Sequence, residues 1–394
     1  MNQQAYIVAA RRTPIGKAPR GVFYKTRPDN LLTHVIQGVV KDSGGLQGEQ
    51  IDDVMIGCAM PEAEQGLNVA RVSALLAGLP DSVPGVTINR FCSSGLQSIA
   101  MAADKIRLGE ADIIIAGGVE SMSMVPMMGN KVSINPAVFE NDNIAIAYGM
   151  GITAEKVAKR WKISREDQDV FAQRSHQRAL SAISTGHFDQ EILPYRVQHH
   201  LPDIGGSIKI IEHLVERDEG PRVDSTLEGL AKLRPAFAAE GSVTAGNSSQ
   251  MSDGAGAVVV MSERKMQALK LHPLARFAGY SVAGVPAEIM GIGPKEAIPK
   301  LERQTGVKLD QVDWIELNEA FAAQSLAVMR ELEMDPDKVN PLGGAIALGH
   351  PLGATGAIRT ATLLHGLQRT NKRYGMVTMC IGTGMGAAGL FERC

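Results

Sequence analysis

IDDVMIGC, residues 51–58, and VDWIELNE, residues 312–319, are two short apolar runs of strand type, and the helix and strand that come after each of them decide the fold. Gly95, in the helical stretch CSSGLQSIAMAADKI (92–106), follows Ile51 at the same distance along the chain at which Gly356, in ATGAIRTATLLHGL (354–367), follows Val312. After each small-residue helix comes a further strand ending in glycine, IIIAGG (113–118) and VTMCIG (377–382). An internal repeat of strand, connection, helix and strand predicts a duplicated, layered α/β fold in which two similar halves pack face to face.

Residues 119–245, rich in Met, Asn, His and charge, match neither half and read as a loop domain inserted into the first one. The expected division is therefore 1–118 with 246–270 for the first half, 119–245 for the insertion and 271–394 for the second half.

With 394 residues, 44% of them hydrophobic and 21% charged, the chain has ample material for a folded core and is not of disordered composition. A net charge of -2 with scattered basic residues lacks the footprint of a sequence-independent nucleic-acid binder, so no nucleic-acid partner is expected. The opening MNQQAYIVAARRTPIG reads as a strand and turn without the apolar core of a signal peptide, which points to a cytoplasmic protein. The uncharged run 340–358 is about as long as a membrane span. It is broken by Pro341, Pro351, His350 and repeated glycines, so no membrane span is expected either. Cys58, Cys92, Cys380 and Cys394 show no paired spacing, which predicts reduced thiols and no metal site.

Chemistry concentrates at a few positions. VTINRFCSSGLQSIA puts Cys92 where a strand meets a helix start, and free N–H groups with the positive end of the helix dipole favour a thiolate there. Such a site can lower a thiol pKa from about 8.5 to roughly 3.5–7.5. Cys92 also reads as a small hydrophobe closing a tight junction. His350, in GGAIALGHPLGATG, is the repeat counterpart of Asn89 in the strand and turn before Cys92. If the halves are related by a pseudo-twofold axis, its imidazole comes near the thiol as a base or hydrogen-bond donor. Cys380 ends the last long strand, just ahead of a glycine loop in which Gly382 can offer a backbone oxyanion donor. Asn318 and Glu319, in NEAF, are either caps for the next helix or polar groups facing the site.

NRFCSSGLQS, GGVESMS, KLRPAF with GSVTAGNSSQMSDGA, NEAFA, GGAIALGHPLGATG and CIGTGMGAA, taken in series over the whole chain, resemble the thiolase family. The resemblance implies CoA-dependent thiolytic cleavage of a 3-ketoacyl-CoA to acetyl-CoA and a shortened acyl-CoA, reversible as a Claisen condensation. In that scheme Cys92 is the acyl-accepting nucleophile and Cys380 the acid and base at carbon. His350 activates Cys92 and forms one oxyanion hole with a water held by Asn318, while the N–H groups of Cys92 and Gly382 form another. CoA is a substrate and no permanently bound cofactor is implied; Arg222 and Ser249 match CoA-contacting positions.

Family members that make acetoacetyl-CoA tend to carry His-Met-Gly where this chain has Gly149, Met150 and Gly151, so the departure favours a degradative enzyme of fatty-acid β-oxidation. An acetoacetyl-CoA-forming thiolase remains the alternative. More distant ones are a ketoacyl carrier-protein synthase and a non-catalytic CoA or lipid carrier. The family resemblance also implies a homodimer or homotetramer, in some cases joined to a multifunctional β-oxidation partner.

Overall fold

A computed structural model describes residues 3–44, 46–202 and 207–394; residues 1, 2 and 45 of the expected first half and 203–206 of the expected insertion lie outside the described residues. The first half opens with strand β1 (Ala5–Arg12) and a two-residue strand β2 (Gly16–Lys17). Helix α1 (Pro28–Asp42), β3 (Asp53–Gly57), α2 (Val69–Leu76), β4 (Gly85–Ile88), α3 (Ser94–Leu108) and β5 (Ile113–Ser121) come next. A long segment then carries α4 (Met150–Arg160), α5 (Arg165–Ser184), the hairpin β6 (Tyr195–Pro202) and β7 (Ile208–Val215), and α6 (Leu227–Ala231). The first half is completed by β8 (Ser252–Ser262) and α7 (Glu263–Ala268). The second consists of β9 (Ala275–Gly284), α8 (Gly293–Thr305), β10 (Trp314–Leu317), α9 (Ala322–Glu331), α10 (Ala345–Leu348), α11 (Thr355–Thr370), β11 (Tyr374–Ile381) and β12 (Met385–Arg393).

The strand order repeats. In the first half it runs β4-β3-β5-β8-β1, and in the second β10-β11-β12-β9. The directions match as well: β3 and β5 are parallel, as are β10 and β11, while the remaining neighbours in each half are antiparallel, apart from the parallel edge pair β3 and β4. A short antiparallel pairing of Tyr6 and Ile7 with Arg276 and Ala275 joins β1 to β9 and makes one continuous sheet.

The second half lacks a counterpart of β4. The stretch before His350, expected to form a strand and turn like the one before Cys92, is instead the helical turn α10. Gly344 donates its N–H to Ser175 of α5, and Ile346 donates to Glu319, so the inserted helix holds this backbone away from the sheet edge.

The central strands, β5 and β8 among them, bury both faces, whereas the edge strand β4 is only partly buried and β7 is largely exposed. On β5, Ile114 and Ala116 join the core that contains α3 and α11, while Ile113 and Ile115 join the core under α1. In the second half, Val377 and Met379 of β11 face α11, and Met376 faces α8. Period-two alternation of this kind, with apolar residues on both sides, is what strands covered by helices on both faces require. The result is outer helices, sheet, paired inner helices, sheet, outer helices.

Helix α11 is buried nearly all round, including Arg359, Thr360 and Thr362, as befits the middle layer. Close approach of α3 and α11 explains the repeated glycines. A methyl on Gly356 would sit 2.3 Å from the backbone nitrogen of Leu96, and one on Gly95 would sit 2.8 Å from the carbonyl of Gly353.

The inserted segment leaves the sheet at Ser121 and returns at Asp253, which are register partners on adjacent strands. β5 thus runs slightly past residue 119, and the insertion hangs from one point of the sheet. Among the described residues no helix is long and apolar enough to cross a membrane.

Candidate active site

Cys92 lies in a tight helical turn, Phe91–Ser93, that runs into α3. Phe91 takes a left-handed φ of 44°, a costly conformation for an aromatic residue. Two side chains hold it: Asn89 accepts from Phe91 N–H at 2.8 Å, and Ser94 Oγ accepts from Arg90 N–H at 2.8 Å while donating to the Phe91 carbonyl at 2.7 Å. The strained turn interrupts the chain at Cys92, a half-buried residue.

The electrostatics of this thiol differ from the expectation. Burial pushes Cys92 up, to about 11, against the N–H groups of Gly382 and of Cys92 itself, which pull it down. Desolvation outweighs them in the largely apolar cavity that Cys92 shares with Met122, Met127, Met150 and Phe237 of the insertion. The resting group is a thiol and not the thiolate that the helix start alone suggested.

His350 is the complementary group. It is buried, and burial, followed by the nearby charge of Arg359, lowers it to about 3, so the imidazole is neutral and able to accept a proton. Its Nδ1 lies 2.6 Å from Thr355 Oγ1, its Nε2 lies 3.3 Å from Asn318 Nδ2, and its backbone N–H is held by the Gln250 carbonyl and Ser252 Oγ. With Asn318 donating to Nε2, the Nδ1 proton is donated to Thr355 and the Nε2 lone pair is retained.

Asn318 therefore serves His350 and caps no helix. Its Oδ1 is buried without a hydrogen-bond partner, a place suited to an ordered water. Glu319, its neighbour in NEAF, turns away and accepts from Ser175, Asn340 and the backbone of Ile346.

Cys380 is fully buried near the end of β11, and burial, with the neighbouring Cys92 thiol, raises it well above the usual thiol range. The turn after it is built on positive φ at Thr383 and Gly384, and a side chain at Gly384 would meet the Val285 carbonyl at 2.2 Å. That turn points the Gly382 N–H at Cys92.

Cys92, His350 and Cys380 line one cavity of ≈ 530 Å³, together with Ser249, Phe237 and Met290. Ser249 is fixed there by its N–H, which donates to the Ala320 carbonyl at 2.9 Å. Gly382 faces a second cavity of ≈ 420 Å³ that also opens on Cys92 and is lined by Met127, Met128, Tyr148 and Met150. Arg222, exposed and paired with Asp224 at 2.9 Å, lines a third of ≈ 390 Å³ with Lys17, His176 and Gln250. Lys17, Ala245 and Gln250 border both that cavity and the one holding the two thiols.

Thr355, Lys17 and His176 are not among the residues that the sequence nominates. His176 accepts from the Arg222 backbone N–H and is lowered to about 4, by burial and then by the Arg222 charge. Only Thr355 has a local signal that could have found it, its place in the GHPLGATG loop. Among the described residues no group of three His, Cys, Asp or Glu is placed to hold a metal ion.

Comparison with known proteins gives the family and the fold of the chain. The thiolase N-terminal domain model matches residues 5–264, and the thiolase C-terminal domain model matches residues 271–393. The chain is 53% identical over 396 aligned residues to a 3-ketoacyl-CoA thiolase of Bacillus subtilis, covering 100% of both chains. It is 48% identical to the human peroxisomal 3-ketoacyl-CoA thiolase, over 98% of this chain and 90% of that one. Among solved structures, the Bacillus anthracis acetyl-CoA acetyltransferase superposes with a TM-score of 0.90 at 41% identity, covering 100% of this chain and 99% of that one. The human mitochondrial 3-ketoacyl-CoA thiolase does so with 0.88 at 37%, with the same coverage.

Proposed function

The chain belongs to the thiolase family, and from that premise we propose that it is a degradative 3-ketoacyl-CoA thiolase working through an acyl-Cys92 intermediate. The observation that carries the mechanism is the convergence of two protonated thiols and one neutral imidazole on a single apolar cavity.

His350 takes the Cys92 proton as the sulfur attacks the keto carbon. In a poorly solvated cavity neither charge is stable alone, so thiolate and imidazolium form together and stabilise one another. The carbonyl oxygen becomes an oxyanion, which His350 and a water held by Asn318 receive. When the Cα–Cβ bond breaks, its electron pair goes to the departing acetyl-CoA enolate, which takes the Cys380 proton. The shortened acyl group stays on Cys92 as a thioester, its carbonyl facing the N–H groups of Cys92 and Gly382. His350 passes its proton to the Cys380 thiolate, which restores both groups; CoA thiol then attacks the acyl carbonyl, losing its proton to His350, and His350 returns that proton to the departing Cys92 sulfur as the shortened acyl-CoA leaves. One well-placed oxyanion donor is worth about 3–4 kcal/mol. A thiol kept protonated suits Cys380 to the cleavage direction.

CoA is a substrate in this scheme, laid over the inserted segment 119–245 with Arg222 at its charged end and Ser249 along the arm. The shared border of the Arg222 cavity and the thiol cavity supports that path. The chain length accepted is broader than acetoacetyl. A side chain at Gly149 would meet nothing within 4 Å, and the flanking Tyr148 and Met150 line the second cavity, so the absent imidazole leaves acyl space beside Cys92. Likeness to the acetyltransferase structure supports the acetoacetyl-CoA reading as the second one.

Free thiols at Cys92 and Cys380 suit a cytoplasmic enzyme, and exposed Leu67, Leu108 and Val86, the last on the edge strand β4, suit a homodimer or homotetramer. Thiolysis assays over 3-ketoacyl-CoA substrates of increasing length decide between the readings. Activity beyond the four-carbon substrate is expected, and activity confined to acetoacetyl-CoA contradicts the degradative role.

A further inference from the structure

Glu120, next to last on β5, takes no part in the scheme above, yet it is a buried carboxylate with 1% exposure. Its partners are unusual. Oε2 accepts from Ala59 N–H and Gly353 N–H, each at 2.8 Å, while Oε1 accepts from Met60 N–H at 3.1 Å and from Gln65 Nε2, with the Cys58 thiol at 3.8 Å. No Lys or Arg is among these partners. The four nitrogen partners are all donors, so a protonated carboxyl would aim its hydrogen at another hydrogen, and the donor set favours the anion against burial, which raises the group above the usual carboxylate range.

The donors come from both halves of the molecule. Ala59 and Met60 belong to the loop after β3, and Ala59 in turn accepts from Asn89, the residue that holds the Phe91 turn. Gly353 lies three residues after His350, in the turn that starts α11. Leu352, between them, packs with Cys92, Ala59 and Met122. There is no slack at this junction, since a side chain at Gly353 would lie 2.6 Å from Ala59 N and 2.8 Å from Glu120 Oε2.

We propose that Glu120 is the positioning residue that sets the His350 loop of one half against the Cys92 turn of the other. A carboxylate that ties both loops at fixed length keeps imidazole and thiol in register for proton transfer, at the seam where Ala59 and Gly353 meet. The inference rests on the His350 and Cys92 roles given above. The same anion lies close enough to Cys92 to oppose its ionisation, behind the larger effect of burial. That effect supplies a readout which a purely structural role would not move.

The test compares wild type, Glu120→Gln and Glu120→Asp in rapid-quench acylation by a 3-ketoacyl-CoA, and in Cys92 alkylation by iodoacetamide at pH 9. Glu120→Gln keeps the size, turns one acceptor into a donor and removes the charge. Acylation is expected to slow about 100-fold, the scale of a misplaced reacting pair, with KM unchanged. Alkylation is expected to quicken by about threefold or more, as loss of a like charge lowers the thiol pKa. Acylation close to the wild-type rate overturns the proposal, and so does slow acylation with unchanged alkylation. If Glu120→Gln does not fold, Glu120→Asp decides. It keeps the anion but withdraws it, so slowed acylation with wild-type alkylation supports the proposal and a wild-type acylation rate refutes it. Failure of the wild-type protein itself to acylate would count against the proposed function and not against Glu120.

Discussion

Thr355→Val isolates the tautomer of His350. Thr355 Oγ1 lies 2.6 Å from Nδ1, and the valine side chain has nearly the same shape without an acceptor. Wild-type His350 donates from Nδ1 and keeps a lone pair on Nε2, where the Cys92 proton must go. In the variant the imidazole either leaves a buried Nδ1–H unpaired or moves its proton to Nε2 and loses the base. Either route costs the penalty of an unmade buried hydrogen bond, about 1–3 kcal/mol, which converts to a kcat lower by about 5- to 150-fold. Substrate contacts are untouched, so KM stays near its wild-type value. Steady-state thiolysis with Thr355→Ser as control measures this, the serine retaining the oxygen and most of the rate. A kcat for Thr355→Val within about twofold of wild type, or a raised KM at constant kcat, refutes the tautomer argument.

Cys380→Ser is expected to acquire an acyl group on Cys92 from acetyl-CoA yet to lose most carbon–carbon cleavage; undiminished thiolysis contradicts its role as the acid at carbon. Gly356→Ala places a methyl against the Leu96 backbone and, after the better helix propensity of Ala is allowed for, destabilises the fold by about 2 kcal/mol, read as a lower Tm. An unchanged Tm counts against tight contact of α3 with α11. In the free protein Cys92 sits above the usual thiol range, at about 11, and is neutral below that pH. Its alkylation should therefore still be rising between roughly pH 8 and 9, whereas a plateau at neutral pH would indicate a resting thiolate.

The duplication is legible in the sequence because close helix packing leaves a mark at single positions: Gly95 and Gly356 stand at equal offsets since each must clear the other's helix. Cys92, His350 and Cys380 can be nominated for a related reason. Cys92 stands where a strand meets a helix start, and His350 and Cys380 stand beside glycine-rich turns of the repeat.

What the sequence hides depends on residues far apart in the chain. Whether Cys92 is lowered by its helix start or raised by burial depends on the tertiary surroundings, among them Met122, Met127, Met150 and Phe237, which line the same cavity. Local spacing sees the amides and not the covering side chains. The missing counterpart of β4 is hidden for the same reason, because Ser175 and Glu319 recruit the backbone of Gly344 and Ile346 into a helical turn. Asn318 is balanced between cap and site until His350 comes within 3.3 Å of it. Glu120 sits in the motif GGVESMS without an evident task, since its donors arrive from two connections far apart in the chain, the one after β3 and the turn after His350.

The central claim is that Cys92 carries the acyl group. Protein mixed with acetyl-CoA, digested and analysed by mass spectrometry, should show an acetyl adduct on the peptide containing Cys92 that disappears when free CoA is added. Absence of that adduct, or its appearance on Cys380 or Cys58 instead, contradicts the account.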